Sequence, residues 1–501
     1  MAAREVIRAI FFVGGSQVIN LLFTMIKMKF VAVLLGPVGV GLIGLFMNVT
    51  NLFASIGAVG MNSSGTRAIA SIEEGAPGDP PTEAESETFF NLIVTSALQS
   101  VVTAAVFLAI MLFFDLGELT ESVTGTGIVV LTVGILAAIN SQPHGALLRG
   151  RKRHKRIAQL TLLSGISASE VSIPVAVMDP GIAVPLLSII PAVFSLACSI
   201  YLCRDSVRHA LRIPLAKFSF PLWKQITKPG FFVMITGLLP IGGLLLIRLV
   251  IQQSGSDEEL GYFQAAWSVG VIYIGLVVGS MSSEYYPRLS GIISRGEPVQ
   301  EAVVHQIELI ALLSAPILVI FIAFSELIFV LLYSSEFSPA AHLFKLLVLG
   351  DVLKLVSWPI GYAILANGHG RTFFVGDAIG WITFSVLAST LYETLGFVAV
   401  GVGYIAMYAA YSAFVLLYAR RTLNVTLSGP VLARVLLILL TCIAIFAIST
   451  YALVIAQIVG VVSMIIFARS ILAHPASVEM WPLKPALLAK IRALFLIRNA
   501  G

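Results

Sequence analysis

Charged residues are scarce in this 501-residue chain: Asp, Glu, Lys and Arg make up 11% of it, whereas hydrophobic residues make up 58%. Soluble domains are about half apolar and about a quarter charged, so this composition excludes an ordinary soluble protein. Apolar runs of about 18 to 25 residues recur along the chain, each long enough to cross a bilayer as a helix. They lack the short alternating pattern of a membrane β-barrel. The sequence therefore predicts an all-α polytopic membrane protein.

Cysteine is scarce too, and Cys198, Cys203 and Cys442 show neither a C-x-x-C spacing nor an even set in a polar loop. Neither a disulfide framework nor a metal site is expected. There is no G-x-x-x-x-G-K-[ST] motif, and every predicted outer loop is short, which argues against ATP hydrolysis and a catalytic domain. We expect a non-enzyme with no catalytic residue, no metal and no cofactor, apart from H⁺ or Na⁺ as a candidate coupling ion.

Gly, Pro and charged residues divide the apolar runs into about fourteen predicted helices. The first six are Ile7–Leu35, Val40–Ala68, Thr88–Phe114, Gly127–Leu148, Ile157–Met178 and Ile182–Cys203. The next six are Phe231–Gln253, Leu260–Arg288, Ala302–Tyr333, Ala340–Ala366, Thr372–Tyr392 and Leu395–Tyr418, and the last pair is Pro430–Ser449 and Thr450–Ile471. The predicted layout is a six-helix lobe (1–206), a cytoplasmic amphipathic linker (207–228), a second six-helix lobe (229–421), an extra helix pair (430–473) and a basic cytoplasmic tail (474–501).

The distribution of positive charge predicts the orientation. The N-terminus enters the first apolar run without a small-residue cleavage site, which indicates a retained helix rather than a signal peptide. With the N-terminus inside, every Lys and Arg of the loops falls on the cytoplasmic side. The opposite loops carry acids instead: Asp115, Glu118, Glu121, Asp179, Asp257, Glu258, Glu259, Glu336 and Glu393. Both termini are therefore predicted to be cytoplasmic.

The most basic stretch is RGRKRHKR, residues 149–156, between predicted helices four and five. A run of this kind occurs in nucleic-acid sites, but in a cytoplasmic loop of a membrane protein its charge sets the topology and contacts anionic lipid head groups. We therefore expect membrane lipids as partners and no nucleic acid.

A weak internal repeat relates the two halves of the chain. Ser141-x-Pro143-x-Gly145 and Gly150-x-x-Arg153 are matched about 217 residues later by Ser357-x-Pro359-x-Gly361 and Gly368-x-x-Arg371. At a similar offset lie Phe11-Phe12-Val13 with Phe231-Phe232-Val233, Gly41 with Gly261, and Met61 with Met281. Six helices per half is an even number, so the halves form a parallel repeat, and such repeats enclose substrate sites at their interface.

The run KFVAVLLGPVGVGLIG, Lys29 to Gly44, resembles the Wzx-type flippases of lipid-linked oligosaccharides, in particular the O-antigen and enterobacterial-common-antigen branch. The duplicated plan, with Gly-x-x-Arg after helices four and ten, is similar to the wider multidrug/oligosaccharidyl-lipid/polysaccharide exporter superfamily. Wzx proteins have twelve helices, two fewer than predicted here. The resemblance implies a V-shaped two-lobed bundle that works by alternating access. It would move undecaprenyl-pyrophosphate-linked sugar to the outer leaflet of the bacterial inner membrane.

An anionic pyrophosphate cannot cross hydrocarbon unaided, so a flippase needs cations within the membrane. Five residues qualify as substrate-binding candidates: Lys27, Lys29, Arg248, Lys345 and Lys354. Residues two apart on a helix point about 200° apart, so Lys27 and Lys29 cannot both face a cavity. Lys29 is the preferred one, because the resemblance covers it. The alternative for each is that its head group reaches the membrane interface.

Three acids are candidates for ion coupling. Asp351 lies one turn from Lys354, which predicts either a neutralised internal pair or a pair that exchanges partners during transport. Glu170 and Asp377 are lone acids in corresponding helices of the two halves, and each either binds H⁺ or Na⁺ or pairs with one of the cations. Lys345, two turns before Asp351, is a candidate for the same side of helix ten.

Two further groups of residues complete the candidates. Asn48, Thr50, Asn51 and Ser55 either bind sugar hydroxyls or hydrogen-bond between helices. Gly36, Pro37 and Gly39 permit a tight outer turn and form a candidate hinge.

Two competing functions are retained. A MATE-type exporter of cationic drugs should line its cavity with acids and aromatics rather than bases. A membrane glycosyltransferase or polymerase needs a large loop, and the only candidate, EEGAPGDPPTEAESE (Glu73 to Glu87), is typical of a flexible segment. We expect a monomer, with other polysaccharide-assembly membrane proteins as candidate partners.

Overall fold

The computed structural model describes residues 2–72, 82–113, 125–280 and 284–473, and within these ranges the regular structure is helical and no strand occurs. The α-helices are α1 Ala2–Ala58, α2 Met61–Ala70, α3 Glu83–Phe113, α4 Gly125–Gly150, α5 His154–Val175, α6 Pro180–Leu202, α7 Arg204–Ala210, α8 Phe220–Ser254, α9 Asp257–Ser280, α10 Tyr286–Ser294, α11 Gln300–Ala323, α12 Ser325–Leu332, α13 Ala340–Ala366, α14 Gly370–Leu395, α15 Val398–Tyr418, α16 Gly429–Ser449 and α17 Leu453–Ala473.

Ten helices in the described part of the chain are long and apolar enough to cross a membrane. Many also expose large apolar side chains, as α17 does with Val454, Ile458 and Ile466. In a bilayer these faces meet lipid rather than water. The prediction of an all-α, multi-span membrane protein is confirmed, whereas the count of fourteen spans, the two six-helix repeats and the orientation stay predictions.

Several sequence predictions concern residues outside the described part of the chain. They are the outer acids Asp115, Glu118 and Glu121, residue Met281 of the repeat, residues 73–81 of the acidic loop and the basic tail 474–501. The side chains of Arg4 and Arg8 also lie outside it.

The first two predicted helices form one element, α1, with a break inside it. Gly36 has φ 64° and ψ −172°, which is far from helical geometry, and Pro37 follows directly. Glycine adopts positive φ without steric cost, and proline is favoured at the start of a helix, so GP ends one helix and begins the next. The backbone therefore breaks at Gly36, with helical residues on both sides and no separate loop, while the outer turn and the hinge role of Gly36, Pro37 and Gly39 stay predictions.

The predicted linker 207–228 is largely helical. α7 covers its beginning, and α8 begins at Phe220 rather than at Phe231. The side chain of Ser219 accepts a hydrogen bond from the Leu222 amide at 3.4 Å, and Pro221 occupies the first turn. A serine cap followed by proline is a strong helix start, and exposed lysines in the first turns do not oppose it.

One predicted helix is interrupted, and another lies partly outside the described residues. Predicted helix nine is divided at Phe324 into α11 and α12. Predicted helix eight is described as α9 up to Ser280, and α10 begins at Tyr286.

The chain forms two compact units. Unit 1 consists of residues 1–264 and 332–336, and unit 2 of residues 265–331 and 337–501. The division falls within α9, so α8, predicted to open the second lobe, belongs to unit 1 and packs against α1 and α2. The predicted lobe boundaries at 206 and 229 stay predictions.

The core of unit 1 is densest where α2, α3, α4 and α7 meet. Met61, Ile69, Phe89, Leu147 and Leu148 are buried together there. Arg151, at the end of α4, donates a hydrogen bond from Nε to Glu85 at 3.0 Å and one from Nη1 to the Ile72 carbonyl at 3.1 Å. Arg156 of the same run donates a hydrogen bond from Nη1 to the Leu202 carbonyl at 2.8 Å. The basic run therefore makes contacts inside the protein as well, while Lys152 and Lys155 are exposed.

Unit 2 is organised around α13, the most extensively buried of its helices. α13 packs closely against α15, because Gly350 lies against Tyr404 and Gly401 lies against Leu346. α17 approaches α11 at Gly460, which faces Ala323. These small residues let the helix axes come together, as is usual in membrane bundles.

Candidate functional site

A pair of glycines brings α1 and α9 into backbone contact in unit 1. A Cβ atom on Gly41 would lie 2.6 Å from the amide nitrogen of Gly261, and one on Gly261 would overlap the Pro37 carbonyl. One turn further on, Gly44 faces the side chain of Gln264. Only glycine allows this approach, so the segment after the Gly36 break is held tightly against the start of α9.

A second glycine pair closes the other end of the same segment. A Cβ atom on Gly60 would overlap the Gly230 carbonyl, and one on Gly230 would overlap the Val59 carbonyl. Gly41 and Gly60 are separated by a helical path of about 28 Å, close to the thickness of a hydrocarbon core. Both ends of this membrane-length segment are therefore in backbone contact with α8 or α9.

Arg248 lies on α8 between these two contacts in the chain and is 4% exposed. Its Nη2 donates a hydrogen bond to Gln264 Oε1 at 2.6 Å, and its guanidinium carbon lies 5.4 Å from the centre of the Phe263 ring. Its Nε and Nη1 atoms are buried and have no hydrogen-bond partner in the described part of the chain. Burying a permanent charge with unused donors is costly, and an anion with several oxygen atoms would offset that cost.

The four polar candidates of α1 lie on different sides of the helix, and they differ in burial. Asn48 follows Gly41 and Gly44 on the face that meets α9, and its Oδ1 is buried without a partner. Thr50 is buried near Gly134 of α4, and its hydroxyl also has no partner. Asn51 is exposed and Ser55 is half-buried. Within the described residues, the Asn48 carbonyl oxygen and the Thr50 hydroxyl make no hydrogen bond between helices, and sugar binding by these polar residues stays a prediction.

Lys27 and Lys29 lie on α1 before the break, and both are half-buried. Lys27 forms no hydrogen bond or ion pair within the residues that the structure describes. Which of the two lysines faces a cavity stays a prediction.

Asp351 and Lys354 form the buried charged centre of unit 2. Asp351 is 1% exposed, and Lys354 Nζ lies 3.6 Å from its Oδ1 atom. The carboxylate also accepts hydrogen bonds from the hydroxyls of Tyr273 and Tyr404, the latter at 2.7 Å. The predicted pair is therefore present, and tyrosines from α9 and α15 complete its surroundings.

Lys345 is not part of this centre. It is 4% exposed and contacts Glu326 of α12 at 3.3 Å and the Ser449 hydroxyl of α16 at 3.1 Å. Six residues on a helix turn through about 240°, so Lys345 and Asp351 face different neighbours. The expectation that the two share one side is wrong.

The two lone acids differ in their surroundings. Glu170 on α5 is exposed, whereas Asp377 on α14 is half-buried. Neither acid forms a hydrogen bond or ion pair with another described residue. Glu170 therefore has no cation beside it, and ion coupling by either acid stays a prediction.

Comparison with known families now identifies the chain's relatives. The model of a family described as polysaccharide biosynthesis protein matches residues 30–342, more than half of the chain. The chain belongs to the polysaccharide biosynthesis protein family. The matched range contains Arg248 and both glycine contacts, begins directly after Lys29 and ends before Asp351.

Individual relatives of this polysaccharide biosynthesis protein are transporters by name. The chain is 25% identical over 231 residues to the lipid III flippase of Escherichia coli strain K12, and equally to that of Shigella flexneri. The match spans 45% of this chain and 54% of each flippase, so it covers only about half the length of these curated relatives.

Two solved structures share the fold of this family member. The lipid II flippase MurJ in an inward closed conformation has a TM-score of 0.68 at 15% identity, over 92% of this chain and 98% of its own. An inward-facing MATE family transporter of the MOP superfamily has a TM-score of 0.65 at 17% identity, over 83% and 98%. At such identities the likeness establishes the fold alone.

Sequence reasoning missed the partners of the charged residues in this polysaccharide biosynthesis protein. Glu308 and Arg434, overlooked inside apolar runs, form an ion pair between α11 and α16. Glu326 was overlooked in the same way. Tyr404 and Tyr408 lie one turn apart in an apolar run, and buried hydroxyls need hydrogen-bond partners. These two tyrosines could therefore have indicated a buried polar site in this helix.

Proposed function

We propose that this protein is a flippase that moves undecaprenyl-pyrophosphate-linked oligosaccharide from the inner to the outer leaflet of the bacterial inner membrane by alternating access. Membership of the polysaccharide biosynthesis family and the similarity to lipid III flippases support the substrate class. The likeness to MurJ supports the architecture. In this proposal the protein acts as a monomer with both termini in the cytoplasm.

The buried guanidinium of Arg248 is the observation that carries the proposal. Among the described residues it has one hydrogen bond, to a neutral glutamine, and two of its buried nitrogen atoms have no partner there. A guanidinium presents its donors as a planar fork that matches phosphate oxygens. A pyrophosphate arriving at this site would supply both the missing charge and the missing acceptors.

Residues near Arg248 extend the proposed site toward the sugar. Asn48 lies one turn beyond Gly44, whose neighbour Gln264 holds the guanidinium. Its unsatisfied amide oxygen would accept a hydrogen bond from a sugar hydroxyl. Lys27 and Lys29 are proposed as further cations for the pyrophosphate, with Lys29 preferred.

A MATE-type exporter is the second candidate, because a MATE transporter shares the fold. Such a protein would bind organic cations. Arg248 would repel a cation, and the buried acid Asp351 already has Lys354 beside it. The positive charge of Arg248 and the neutralised charge of Asp351 both favour the flippase.

The test is flipping of a fluorescent undecaprenyl-pyrophosphate oligosaccharide in proteoliposomes. We compare wild type with Arg248→Gln, Arg248→Lys and, as a control on the same helix, Lys224→Ala, which changes an exposed lysine. Removing one partner of a buried, hydrogen-bonded charge pair costs about 2–5 kcal/mol, so Arg248→Gln should weaken transport at least roughly tenfold. Arg248→Lys should retain part of the activity, because lysine keeps the positive charge but lacks the planar set of donors of a guanidinium.

The outcomes separate the candidates. Equal transport by Arg248→Gln and Lys224→Ala, at matched insertion, would exclude a pyrophosphate-binding role for Arg248. Absence of flipping by wild type, together with H⁺- or Na⁺-driven efflux of organic cations, would establish the exporter instead.

A further inference from the structure

Three described residues of unit 2 contact the carboxylate of Asp351. Tyr273 donates to Oδ2, Tyr404 donates to Oδ1 at 2.7 Å, and the Lys354 ammonium lies 3.6 Å from Oδ1. The side chain of Asp351 is 2% exposed. Two hydroxyl donors and one ammonium group therefore surround a carboxylate that is almost completely buried.

The ammonium of Lys354 is held on its other sides by aromatic rings. Its Nζ atom lies 4.7 Å from the centre of the Trp358 ring, 5.1 Å from that of Tyr408 and 5.9 Å from that of Tyr404. It also donates a hydrogen bond to the Tyr404 hydroxyl at 3.3 Å. A carboxylate on one side and ring faces on the others form an enclosure that selects a monovalent cation of ammonium size.

We propose that Lys354 is a built-in cation that occupies a monovalent-cation site formed by Asp351, Trp358, Tyr404 and Tyr408. Asp351 is then neutralised by the chain itself and does not serve as the site of a coupling Na⁺. A tethered ammonium is present at a high effective concentration, which an ion from solution has to overcome. An entering Na⁺ would also have to displace the contacts of Lys354 with the rings.

The inference implies that flipping does not depend on Na⁺ bound at Asp351. Only this implication for transport rests on the proposed function. The site itself is a property of unit 2 and is testable without any transport assay. Failure of the flippase proposal and failure of the cation-site proposal are therefore distinguishable.

The first experiment measures thermal unfolding of the full-length protein in detergent. Lys354→Ala removes a propylammonium-sized part of the side chain and leaves the rest of the site in place. We expect n-propylammonium chloride to raise the melting temperature of Lys354→Ala saturably, relative to choline chloride at equal ionic strength, and to leave wild type unchanged. Asp351→Asn in the Lys354→Ala background should abolish the increase.

Lys354→Met is the matched control, because it fills the space without a charge and should show no response to n-propylammonium. If Lys354→Ala responds no more than Lys354→Met does, the enclosure does not select a cation and the proposal is overturned.

A second measurement does not require a folded Lys354 variant. Wild-type protein and Asp351→Asn are each unfolded in NaCl and in choline chloride, and the difference in melting temperature between the two salts should be the same for both proteins. A saturable stabilisation of wild type by Na⁺ that is lost in Asp351→Asn would show that Asp351 binds Na⁺ despite Lys354, and would overturn the proposal.

Discussion

The contact between Gly41 and Gly261 allows a sharp test, because each glycine faces the backbone of the other helix. In Gly261→Ala the new methyl group would overlap the Pro37 carbonyl. Non-bonded heavy atoms prefer separations of about 3.5–4.0 Å, so α1 and α9 would have to move apart by about 1 Å or more. Inserting a methyl group into a packed site costs about 1–3 kcal/mol.

Gly270→Ala provides the matched control on the same helix, because no atom lies within 4 Å of the position that its Cβ would occupy. Both substitutions gain helix propensity of up to about 1 kcal/mol, and this gain cancels in the comparison. We therefore expect Gly261→Ala to unfold at a lower temperature than Gly270→Ala, by an amount that reflects about 1–3 kcal/mol. Thermal unfolding of the purified proteins in one detergent provides the measurement.

A double-mutant cycle then tests whether the contact is reciprocal. A Cβ atom on Gly41 would lie 2.6 Å from the Gly261 nitrogen, so one separation of the helices makes room for both methyl groups. The combination Gly41→Ala with Gly261→Ala should therefore cost less than the sum of the single changes. Equal melting temperatures for Gly261→Ala and Gly270→Ala would refute the reasoning, because they would mean that the backbones are not in contact.

Further predictions concern the buried charges. Arg151→Ala should destabilise the protein by about 3–5 kcal/mol, because it leaves the Glu85 carboxylate buried without its partner. Lys155→Ala, in the same basic run but exposed, should change stability by less than about 0.5 kcal/mol. Lys345→Met should cost less than Lys354→Met, because the carboxylate partner of Lys345 is 37% exposed, whereas Lys354→Met leaves a carboxylate that is 2% exposed without its ammonium and should cost several kcal/mol. Thermal unfolding of each pair checks these expectations, and similar losses for the two methionine variants would contradict the last one.

Sequence pattern was sufficient for features that depend on a single helix. Apolar runs identified a helical, multi-span membrane protein because a helix satisfies its own backbone hydrogen bonds, so length and hydrophobicity suffice to place it in a membrane. Gly36 and Pro37 identified a helix break through their own backbone preferences. Asp351 and Lys354 were predicted as a pair because residues three apart share one helix face. The family resemblance drawn from Lys29 to Gly44 agrees with the family to which the chain belongs.

Features that depend on two helices were decided by the tertiary structure alone. Nothing local indicates that Gln264 holds Arg248, that Glu326 and Ser449 hold Lys345, or that Tyr273 reaches Asp351. The repeat offset pairs Gly41 with Gly261, but only packing shows that the two are in contact. Helical periodicity specifies the direction in which a side chain points from its helix axis. The partner of that side chain depends on which other helix lies in that direction and on which of its residues is level with the side chain. A charged residue within an apolar run can be recognised in sequence. Whether it is neutralised by a partner or has none is determined by the packing of helices that lie far apart in the chain.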